Sequence, residues 1–324
     1  MKADDIVDKI IEGPIIPSFT SIGYHVRSRV EKWDTLDSFD MSGRTVVVTG
    51  ATSGLGKHAA QRFAQLGATV IVTGRNADTA ERARDEIAAA TGSGSVDVAT
   101  GDMGNLDQVR ALADSITSRH ERVDVLVHNA GALSAERSTN SDGIEATVAS
   151  QVLGPFLLTS LLLDPLRRAA PGRVVTVSSG GMYSTGLAVD ELQMGPSDYK
   201  GSEQYARAKR AQVTLNEMWA KRTDPGKTVF QAMHPGWADT PGVKASLPTF
   251  RKIVGPLLRS VEQGADTIVW LGAAADPIES TGDFWLDRRR RPIHKLPNTR
   301  RSDTPERREE LWNWCVQQTG ADVD

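Results

Sequence analysis

A tyrosine and a lysine stand four residues apart in a segment with helical periodicity. Tyr205 and Lys209 lie within residues 205–221, and this spacing places two side chains on one face of a helix. An ammonium group beside a phenol favours the phenolate, so such a phenol could exchange a proton near neutral pH. None of the other three tyrosines has a lysine four residues on. Such pairs also occur on ordinary helices, so the spacing permits proton transfer without requiring it.

A glycine-rich loop follows the first strand-like segment and precedes a helical pattern. Its glycines let the backbone turn sharply, and free amides at a helix start bind a pyrophosphate. The GxxxGxG spacing is a variant of the dinucleotide fingerprint, and His58 stands where a P-loop has Ser or Thr. Glycine clusters are common in loops, but the strand before and the helix after this one favour a dinucleotide site. The candidate residues are Gly50, Thr52, Ser53, Gly54, Leu55 and Gly56.

The second strand-like segment leads into Gly74, Arg75 and Asn76 without an acidic residue. An NAD site usually places a carboxylate here to hold the ribose hydroxyls. The guanidinium of Arg75 suits a 2′-phosphate instead, because it presents a planar set of donors. An ordinary surface arginine is the alternative. The pattern favours NADP(H) over NAD as the cofactor, with Asn76 as a neighbouring contact and a candidate helix cap.

Short β-branched segments alternate with longer segments of helical periodicity. Fully apolar strand cores such as VVV and VIV indicate strands buried on both faces, as in a parallel sheet. The alternation predicts βαβ units, and hence an α/β protein with a Rossmann-type doubly wound parallel sheet in a single domain. Strands are predicted at 45–49, 69–73, 96–100, 123–128, 174–178 and 229–234, and helices at 58–66, 78–90, 106–119, 146–163 and 205–221.

Residues 1–42 and 287–324 do not follow this alternation of strands and helices. They are interpreted as an amino-terminal extension and a basic, helical carboxyl-terminal tail around a domain at 43–286. The run Arg288 to Arg291 could bind phosphate, but a solvated face or pairing with carboxylates is the more ordinary role of such a run. Thr304 and Pro305 are expected to start a helix in the tail.

The composition argues against several classes of protein. The chain has 324 residues, a net charge of −3 and one cysteine, so disulfide-stapled folds, zinc ribbons and nucleic-acid binding are disfavoured. The amino terminus lacks a signal-peptide pattern. The uncharged run at 146–163 is interrupted by polar residues, glycine and proline, which favours a buried helix over a membrane span. We therefore expect a cytoplasmic protein with no metal site.

Six short motifs occur in the order found in one enzyme family. On them the chain resembles the classical short-chain dehydrogenases/reductases over residues 43–286. The segments at 177–182 and 233–241 most resemble the branch called dehydrogenase/reductase family member twelve. The motifs are Gly50/Gly54/Gly56, Asp102-Met103, Asn129-Ala130-Gly131, Ser178-Ser179, Tyr205/Lys209 and Pro235-Gly236.

The resemblance implies hydride transfer between NADP(H) and a small carbonyl or alcohol substrate. Tyr205 would be the general acid in reduction, Lys209 would lower its pKa and hold the nicotinamide ribose, and Ser179 would donate to the carbonyl oxygen. The cofactor contacts it implies are Asp102 with Met103 at the adenine, Asn129, Ala130 and Gly131 on the adenosine side, Pro235 and Gly236 in a cofactor-facing loop, and Thr240 at the carboxamide.

Two residues depart from the family pattern. Gln151 stands where the family usually has an asparagine that holds a proton-relay water, and His128 replaces the first asparagine of its NNAG motif. A non-catalytic NADP-binding or sensor protein therefore remains an alternative. A serine hydrolase using Ser179, His234 and Asp239 is a second alternative, but it lacks the GxSxG turn.

Two segments are candidate walls of the substrate site. The long loop containing residues 184–202 is expected to edge it. From Leu247 to Val261 apolar residues recur near helical spacing, as in a lid over a lipophilic ketone or aldehyde or in an amphipathic helix packed on the sheet. The helices at 146–163 and 205–221 match the pair that forms dimers in the family, so a homo-oligomer is one expectation.

Overall fold

The computed structural model describes residues 3–246 and 248–323, so Leu247 of the predicted apolar segment lies outside it. Its centre is a sheet in the strand order β3-β2-β1-β4-β5-β6-β7-β8, parallel throughout except for the pair β7 and β8. The strands are β1 (Thr45–Val48), β2 (Thr69–Gly74), β3 (Val96–Thr100), β4 (Val125–His128), β5 (Gly172–Val177), β6 (Thr228–Met233), β7 (Phe284–Leu286) and β8 (Arg289–Arg290).

The helices precede, connect and follow the strands. They are α1 (Ala3–Glu12), α2 (Ile15–Phe19), α3 (Ser21–Val30), α4 (Gly54–Gln65), α5 (Ala77–Thr91), α6 (Leu106–Thr117), α7 (Ala146–Val148), α8 (Gly154–Leu161), α9 (Leu163–Arg167), α10 (Gly201–Arg222), α11 (Pro241–Ser246), α12 (Pro248–Val254), α13 (Val261–Ala273), α14 (Pro297–Ser302) and α15 (Pro305–Thr319). The predicted helix at 146–163 is interrupted by a π-helical turn at Ala149–Leu153.

Alternate residues of β1 enter different cores, which explains why this strand is apolar throughout. Val46 and Val48 pack in the core built with α4, α5 and α13, whereas Val47 packs in the core built with α6, α8 and α10. Helices therefore cover both faces of the sheet, and the predicted doubly wound Rossmann-type fold is confirmed. The strand order reverses between β1 and β4, where ligands bind in such sheets at the carboxyl ends of the strands.

The amino-terminal extension docks on the body through charged side chains. Arg27 of α3 is 1% exposed and its guanidinium binds Asp8 at 2.8 Å, Glu12 at 2.9 Å and Asp287 at 2.6 Å. Asp287 also receives two hydrogen bonds from Arg259, another buried arginine. Arg27 thus joins two helices of the extension to the turn between β7 and β8.

The arginine run after β7 is paired with carboxylates. Arg291 binds both carboxylate oxygens of Asp8, at 2.6 and 2.7 Å, and Arg288 binds Asp266 at 2.8 Å. Of the two ordinary roles predicted for this run, carboxylate pairing is the one observed for these two residues. β8 follows the predicted boundary at 287 but belongs to the sheet, and Asp8 of α1 precedes the predicted boundary at 43 but pairs with Arg291. The segments on either side of these boundaries therefore pack against one another.

The carboxyl-terminal helix α15 begins where Thr304 and Pro305 predict it, and the Thr304 side chain accepts a hydrogen bond from the amide of Arg307. Its Trp312 packs against Phe156 of α8 and Trp219 of α10, with ring centroids 5.0 and 4.8 Å apart. The helix therefore covers part of the pair on which a homo-oligomer is expected. Oligomer formation stays a prediction.

Within the described ranges, no helix combines the length and apolar character needed to cross a lipid bilayer. The run at 146–163 is instead buried for most of its length, in the core beneath β4 and β5. The cytoplasmic location stays a prediction.

Candidate active site

The glycine loop after β1 needs its glycines for close packing. Gly50 has φ +64°, and a Cβ on it would lie 2.8 Å from Cα of Ala130. A Cβ on Gly56 would lie 2.3 Å from Nδ2 of Asn129 and 2.5 Å from the Gly50 carbonyl oxygen. Ser53 makes no capping hydrogen bond at the start of α4, so its side chain leaves the first amides of that helix uncapped. The loop therefore has the geometry of an anion site at a helix start.

Asn129 and Ala130 bind the glycine loop from the end of β4. The Asn129 side-chain amide donates to the carbonyl oxygens of Thr49 and Gly50, at 3.0 and 3.1 Å. The backbone amides of Asn129 and Ala130 both donate to the Thr49 hydroxyl at 3.0 Å. Asn129 thus fixes the loop at the switch point of the sheet, and its contact with an adenosine stays a prediction.

The residues expected near the adenosine lie at the ends of β2 and β3. Arg75 is exposed directly after β2, and Asn76 accepts the capping hydrogen bond of α5 from Thr79. A Cβ on Gly74 would lie 2.6 Å from Thr52, so the end of β2 is adjacent to the glycine loop. After β3, Asp102 accepts a hydrogen bond from the Gly104 amide at 2.8 Å, and its neighbour Met103 is buried.

Ser179, Tyr205 and Lys209 come together at the carboxyl edge of the sheet. Ser179 follows β5, and its side chain lies beside the Tyr205 phenol in the first half of α10. Lys209 lies one helical turn further on, with Nζ 5.3 Å from the Tyr205 ring centroid, and donates to the Val177 carbonyl oxygen at 2.9 Å. The three predicted catalytic side chains therefore form one cluster.

Burial dominates the proton equilibria of this cluster. It raises the pKa of Tyr205 to about 12, and the hydrogen bond with Ser179 offsets part of that rise. Burial also lowers the pKa of Lys209 to about 7, because the ammonium loses its hydration. Tyr205 is therefore a protonated phenol at neutral pH, as a general acid in carbonyl reduction must be. The lowering of its pKa by Lys209 stays a prediction.

Gln151 occupies the π-helical turn before α8. In a regular helix its carbonyl would accept from residue 155, but Pro155 has no N–H, and the helix widens at this turn. The Gln151 side-chain amide donates to the Ala132 carbonyl oxygen at 2.7 Å. A Cβ on Gly131 would lie 2.9 Å from Gln151 Oε1, so glycine makes room for this longer amide.

The loop after β6 has two different surroundings. At its end, Thr240 lies against Gly54 of the glycine loop, where a Cβ on Gly54 would be 3.7 Å from Thr240 Cβ. Near its start, after Pro235, Gly236 has φ +68°, and a Cβ there would lie 2.4 Å from Nε of Arg259 and 2.7 Å from the Phe19 carbonyl oxygen. Arg259 and the extension therefore account for the glycine at 236, whereas Thr240 lies against the glycine loop.

The serine hydrolase alternative is wrong. The His234 ring is buried between Phe19 and Phe284, with centroids 4.5 and 5.6 Å away. Asp239 instead forms an ion pair with Arg251 at 2.8 Å. Neither group is placed to activate Ser179.

The two predicted walls of the substrate site differ. Gln204 at the start of α10 binds the backbone of Leu192 and Met194, so the loop at 184–202 is packed against that helix. The segment after Thr240 forms the short helices α11 and α12 instead of one amphipathic helix, and Ile253 is 75% exposed. Ser246 donates to the Leu133 carbonyl oxygen, which brings α11 over the loop after β4.

The sequence-based reasoning missed Arg259 and two amides of α10. Arg259 donates through its guanidinium to the carbonyl oxygens of Pro235 and Phe19 and so holds the loop that leads to Thr240. Gln212 and Asn216 lie three and seven residues after Lys209, on the buried face of the same helix. Polar residues at this spacing on a helix that must be buried were the available signal. Among the described residues, no group of acidic, histidine or cysteine side chains is arranged to hold a metal.

A doubly wound sheet with a glycine loop at its switch point and a Ser–Tyr–Lys cluster beside it defines a nicotinamide-dependent dehydrogenase or reductase. The model of the short chain dehydrogenase family matches residues 44–249, and the chain belongs to this family. It is an oxidoreductase that interconverts alcohol and carbonyl groups.

Three comparisons describe the relationship. The bovine (Bos taurus) dehydrogenase/reductase SDR family member 12 is 38% identical over 294 residues, which cover 90% of this chain and 91% of that protein. The human (Homo sapiens) retinol dehydrogenase 12 is 30% identical over 305 residues, covering 92% and 95%. A crystal structure of an uncharacterised protein from Mycobacterium paratuberculosis has a TM-score of 0.69 and 26% identity, covering 90% and 99%.

Proposed function

We propose that the chain uses NADP(H) to interconvert a lipophilic ketone or aldehyde and its alcohol, with Tyr205 as the general acid and base. The observation that carries this proposal is the juxtaposition of Tyr205, Ser179 and Lys209, with Lys209 Nζ 5.3 Å from the Tyr205 ring centroid, at the edge of the sheet where the glycine loop lies. The residues of the loop and of this cluster fit the two ends of a dinucleotide. Bound NADPH supplies a hydride to the carbonyl carbon.

The chain's own residues handle the oxygen atom of the substrate. As the carbonyl carbon is reduced, the electron pair of the C=O double bond moves onto oxygen, and Tyr205 Oη gives that oxygen its proton. The Ser179 hydroxyl donates a hydrogen bond to the same oxygen and stabilises the growing negative charge. The Lys209 ammonium favours the phenolate that Tyr205 becomes, and solvent later returns the proton.

The preference for NADP(H) is proposed from the end of β2. Arg75 is exposed next to the glycine loop, and the two residues on either side of it are uncharged. A guanidinium at this point can bind a 2′-phosphate with two donors, whereas it offers the ribose hydroxyls of NAD no acceptor.

The lipophilic substrate is proposed from the segment after β6. Trp237 packs edge-on against Phe250 at 5.1 Å, and Ile253 and Leu257 next to them are exposed. Phe250, Ile253 and Leu257 follow Thr240 in the chain, so an apolar substrate would bury part of them. Retinol, named in the description of the human relative, is an alcohol of this kind.

Two substitutions test the proposal. Tyr205→Phe removes the proton donor and is expected to lower kcat at least 100-fold with an almost unchanged Kd for NADPH, measured by fluorescence titration. Arg75→Ser should raise the Kd for NADPH about 10- to 100-fold and leave that for NADH unchanged. Arg82→Ser is the control, because it also removes an exposed arginine but on α5, away from the end of β2.

The same measurements separate the alternatives. Binding of NADPH without turnover of any ketone, aldehyde or alcohol in a lipophilic panel would favour the sensor protein. Equal loss of NADPH and NADH affinity in Arg75→Ser would contradict the role given to Arg75. Full activity of Tyr205→Phe would contradict the role given to Tyr205.

A further inference from the structure

A small interior cavity of about 30 Å³ lies behind the catalytic cluster, between β4, β5 and β6 and the helices α8 and α10. Besides Thr159 and Thr176, four polar residues line it: His128 at the end of β4, Gln151 in the π-helical turn, and Gln212 and Asn216 on α10. Each is at most 4% exposed. Phe156, Trp219 and Phe230 are among the apolar residues that surround them. Polar side chains thus meet at a small space within an apolar core.

The polar atoms of this cavity lack protein partners. Nδ1 of His128, Oε1 of Gln151 and both amide atoms of Gln212 and Asn216 are buried without a hydrogen bond to any residue that the structure describes. The other ends of two of these side chains are bonded: His128 Nε2 pairs with the Thr159 hydroxyl at 2.8 Å, and Gln151 Nε2 donates to Ala132. Those bonds orient the two side chains, whose other polar atoms have no protein partner among the described residues.

Six buried polar atoms without partners are too costly for a stable core. Each such atom destabilises a folded protein substantially unless something else binds it. A buried water molecule needs a cavity volume of at least about 10–15 Å³ and two to four polar partners. The cavity has room for about two waters, and its four side chains supply both donors and acceptors.

We propose that this cavity is a binding site for about two buried water molecules, which join His128, Gln151, Gln212 and Asn216 in one hydrogen-bonded cluster. Burial lowers the pKa of His128 to about 3, so its imidazole enters the cluster neutral. The waters satisfy Oε1 of Gln151 and thereby hold the amide with its Nε2 toward Ala132. Gln151 is therefore a positioning residue for the loop at 131–132.

The cluster also explains why two unusual residues occur together. His128 and Gln151 both depart from the family pattern, and both line this cavity. A longer amide at 151 reaches Ala132 and leaves its oxygen without a protein partner, as the imidazole at 128 leaves its Nδ1. The two departures are one coupled feature, and the part of it that concerns catalysis rests on the proposed function.

The first test uses the sign of a stability change. Gln212→Met keeps the volume and removes both amide atoms. If waters bind there, the Tm falls by about 2–4 °C because their hydrogen bonds are lost; if the atoms are unpaired, the Tm stays or rises. Gln204→Met calibrates the assay, since Gln204 is equally buried but bonded to the backbone of Leu192 and Met194. An unchanged or raised Tm in Gln212→Met overturns the proposal.

The second test counts the waters directly. Water ¹⁷O relaxation dispersion reports long-lived internal water molecules, and the variant Gln212→Met should have at least one fewer than the natural chain. Equal counts overturn the proposal. This measurement needs neither substrate nor cofactor, so its outcome is independent of whether the chain proves to bind NADPH.

The third test addresses the positioning role. Gln151→Met and Gln212→Met are combined, and the Kd for NADPH is measured for each variant. Because the waters join the two side chains, the double variant should weaken binding less than the product of the two single fold-changes. For Gln151→Met combined with Gln204→Met, the fold-change in the Kd should equal the product of the two single fold-changes. If the fold-changes of Gln151→Met and Gln212→Met also multiply, Gln151 has no positioning role through the waters.

Discussion

Asp287→Asn tests the buried ion cluster that joins the extension to the body. The Asp287 side chain is 1% exposed and receives hydrogen bonds from Arg27 at 2.6 Å and from two nitrogens of Arg259. The substitution keeps the size of the side chain and removes its negative charge. Arg27 keeps Asp8 and Glu12, but Asp287 supplies the only carboxylate paired with Arg259 within the described residues.

The expected loss of stability follows from leaving Arg259 buried without its counterion. Breaking a buried ion pair by removing one partner costs about 3–5 kcal/mol. The entropy of unfolding is about 2.1 cal/mol/K per residue, or about 0.7 kcal/mol per kelvin for a chain of this length. The Tm should therefore fall by about 4–7 °C. The Kd for NADPH should rise as well, because Arg259 holds the carbonyl oxygen of Pro235.

Thermal and urea unfolding followed by circular dichroism measure this change. Asp164→Asn is the matched control, since Asp164 pairs with Arg167 at 3.3 Å on the surface and its side chain is 75% exposed. That variant should lose less than about 1 kcal/mol. If Asp287→Asn is as stable as Asp164→Asn, the extension is not held by this cluster and the reasoning fails.

Two further predictions concern the extension and the glycine loop. Burial raises the pKa of Asp8, but hydrogen bonds and charges of Arg291 and Arg27 outweigh it and lower that pKa from 3.8 to about 2. About 2 kcal/mol of stability should thus be complete above about pH 5 and be lost as the pH falls through about 2, with the hydrogen-exchange protection factors of α1 falling; protection factors independent of pH across this range would contradict it. Gly56→Ala should cost about 1–3 kcal/mol and raise the Kd for NADPH at least tenfold, because its Cβ would overlap Asn129 and the Gly50 carbonyl. Gly94→Ala, where a Cβ meets nothing within 4 Å, should change neither, and equal effects of the two variants would exclude this cause.

Six strands of the sheet could be predicted because each lies in a segment of sufficient length that is rich in β-branched residues. The predicted strand at 96–100 coincides with β3, and that at 69–73 ends one residue before β2 does. β7 and β8 have only three and two residues, so they have too little periodicity of their own and exist through pairing with β6 and with each other. The helices of the extension were missed because their docking face is charged: Asp8 and Arg27 are buried in a segment whose pattern is not that of a core helix.

Part of the candidate site could be predicted from sequence motifs, and part could not. Ser179, Tyr205 and Lys209 form sequence motifs, and the structure places them together. The polar cavity depends on which faces of α10 and of the π-helical turn meet, and no spacing within either segment reveals that Gln212 and Gln151 line one space. Gly236 is expected at the cofactor because the Pro235-Gly236 motif faces the cofactor in the family. Its packing partner in the structure is Arg259, which is distant in sequence.

The docking of the extension also has a consequence for the order of events during synthesis. Arg27 and Asp287 are 260 positions apart, and Asp8 and Arg291 are 283 apart. A ribosome adds about 5–20 residues per second, so roughly 13–57 s pass between the appearance of these partners. Until then Arg27 lacks Asp287 and Asp8 lacks Arg291, the partners that join these helices to the end of the sheet. The amino-terminal extension is therefore synthesised first but is among the last segments to reach its native position. It completes its docking only after the final strand, β8, has been synthesised.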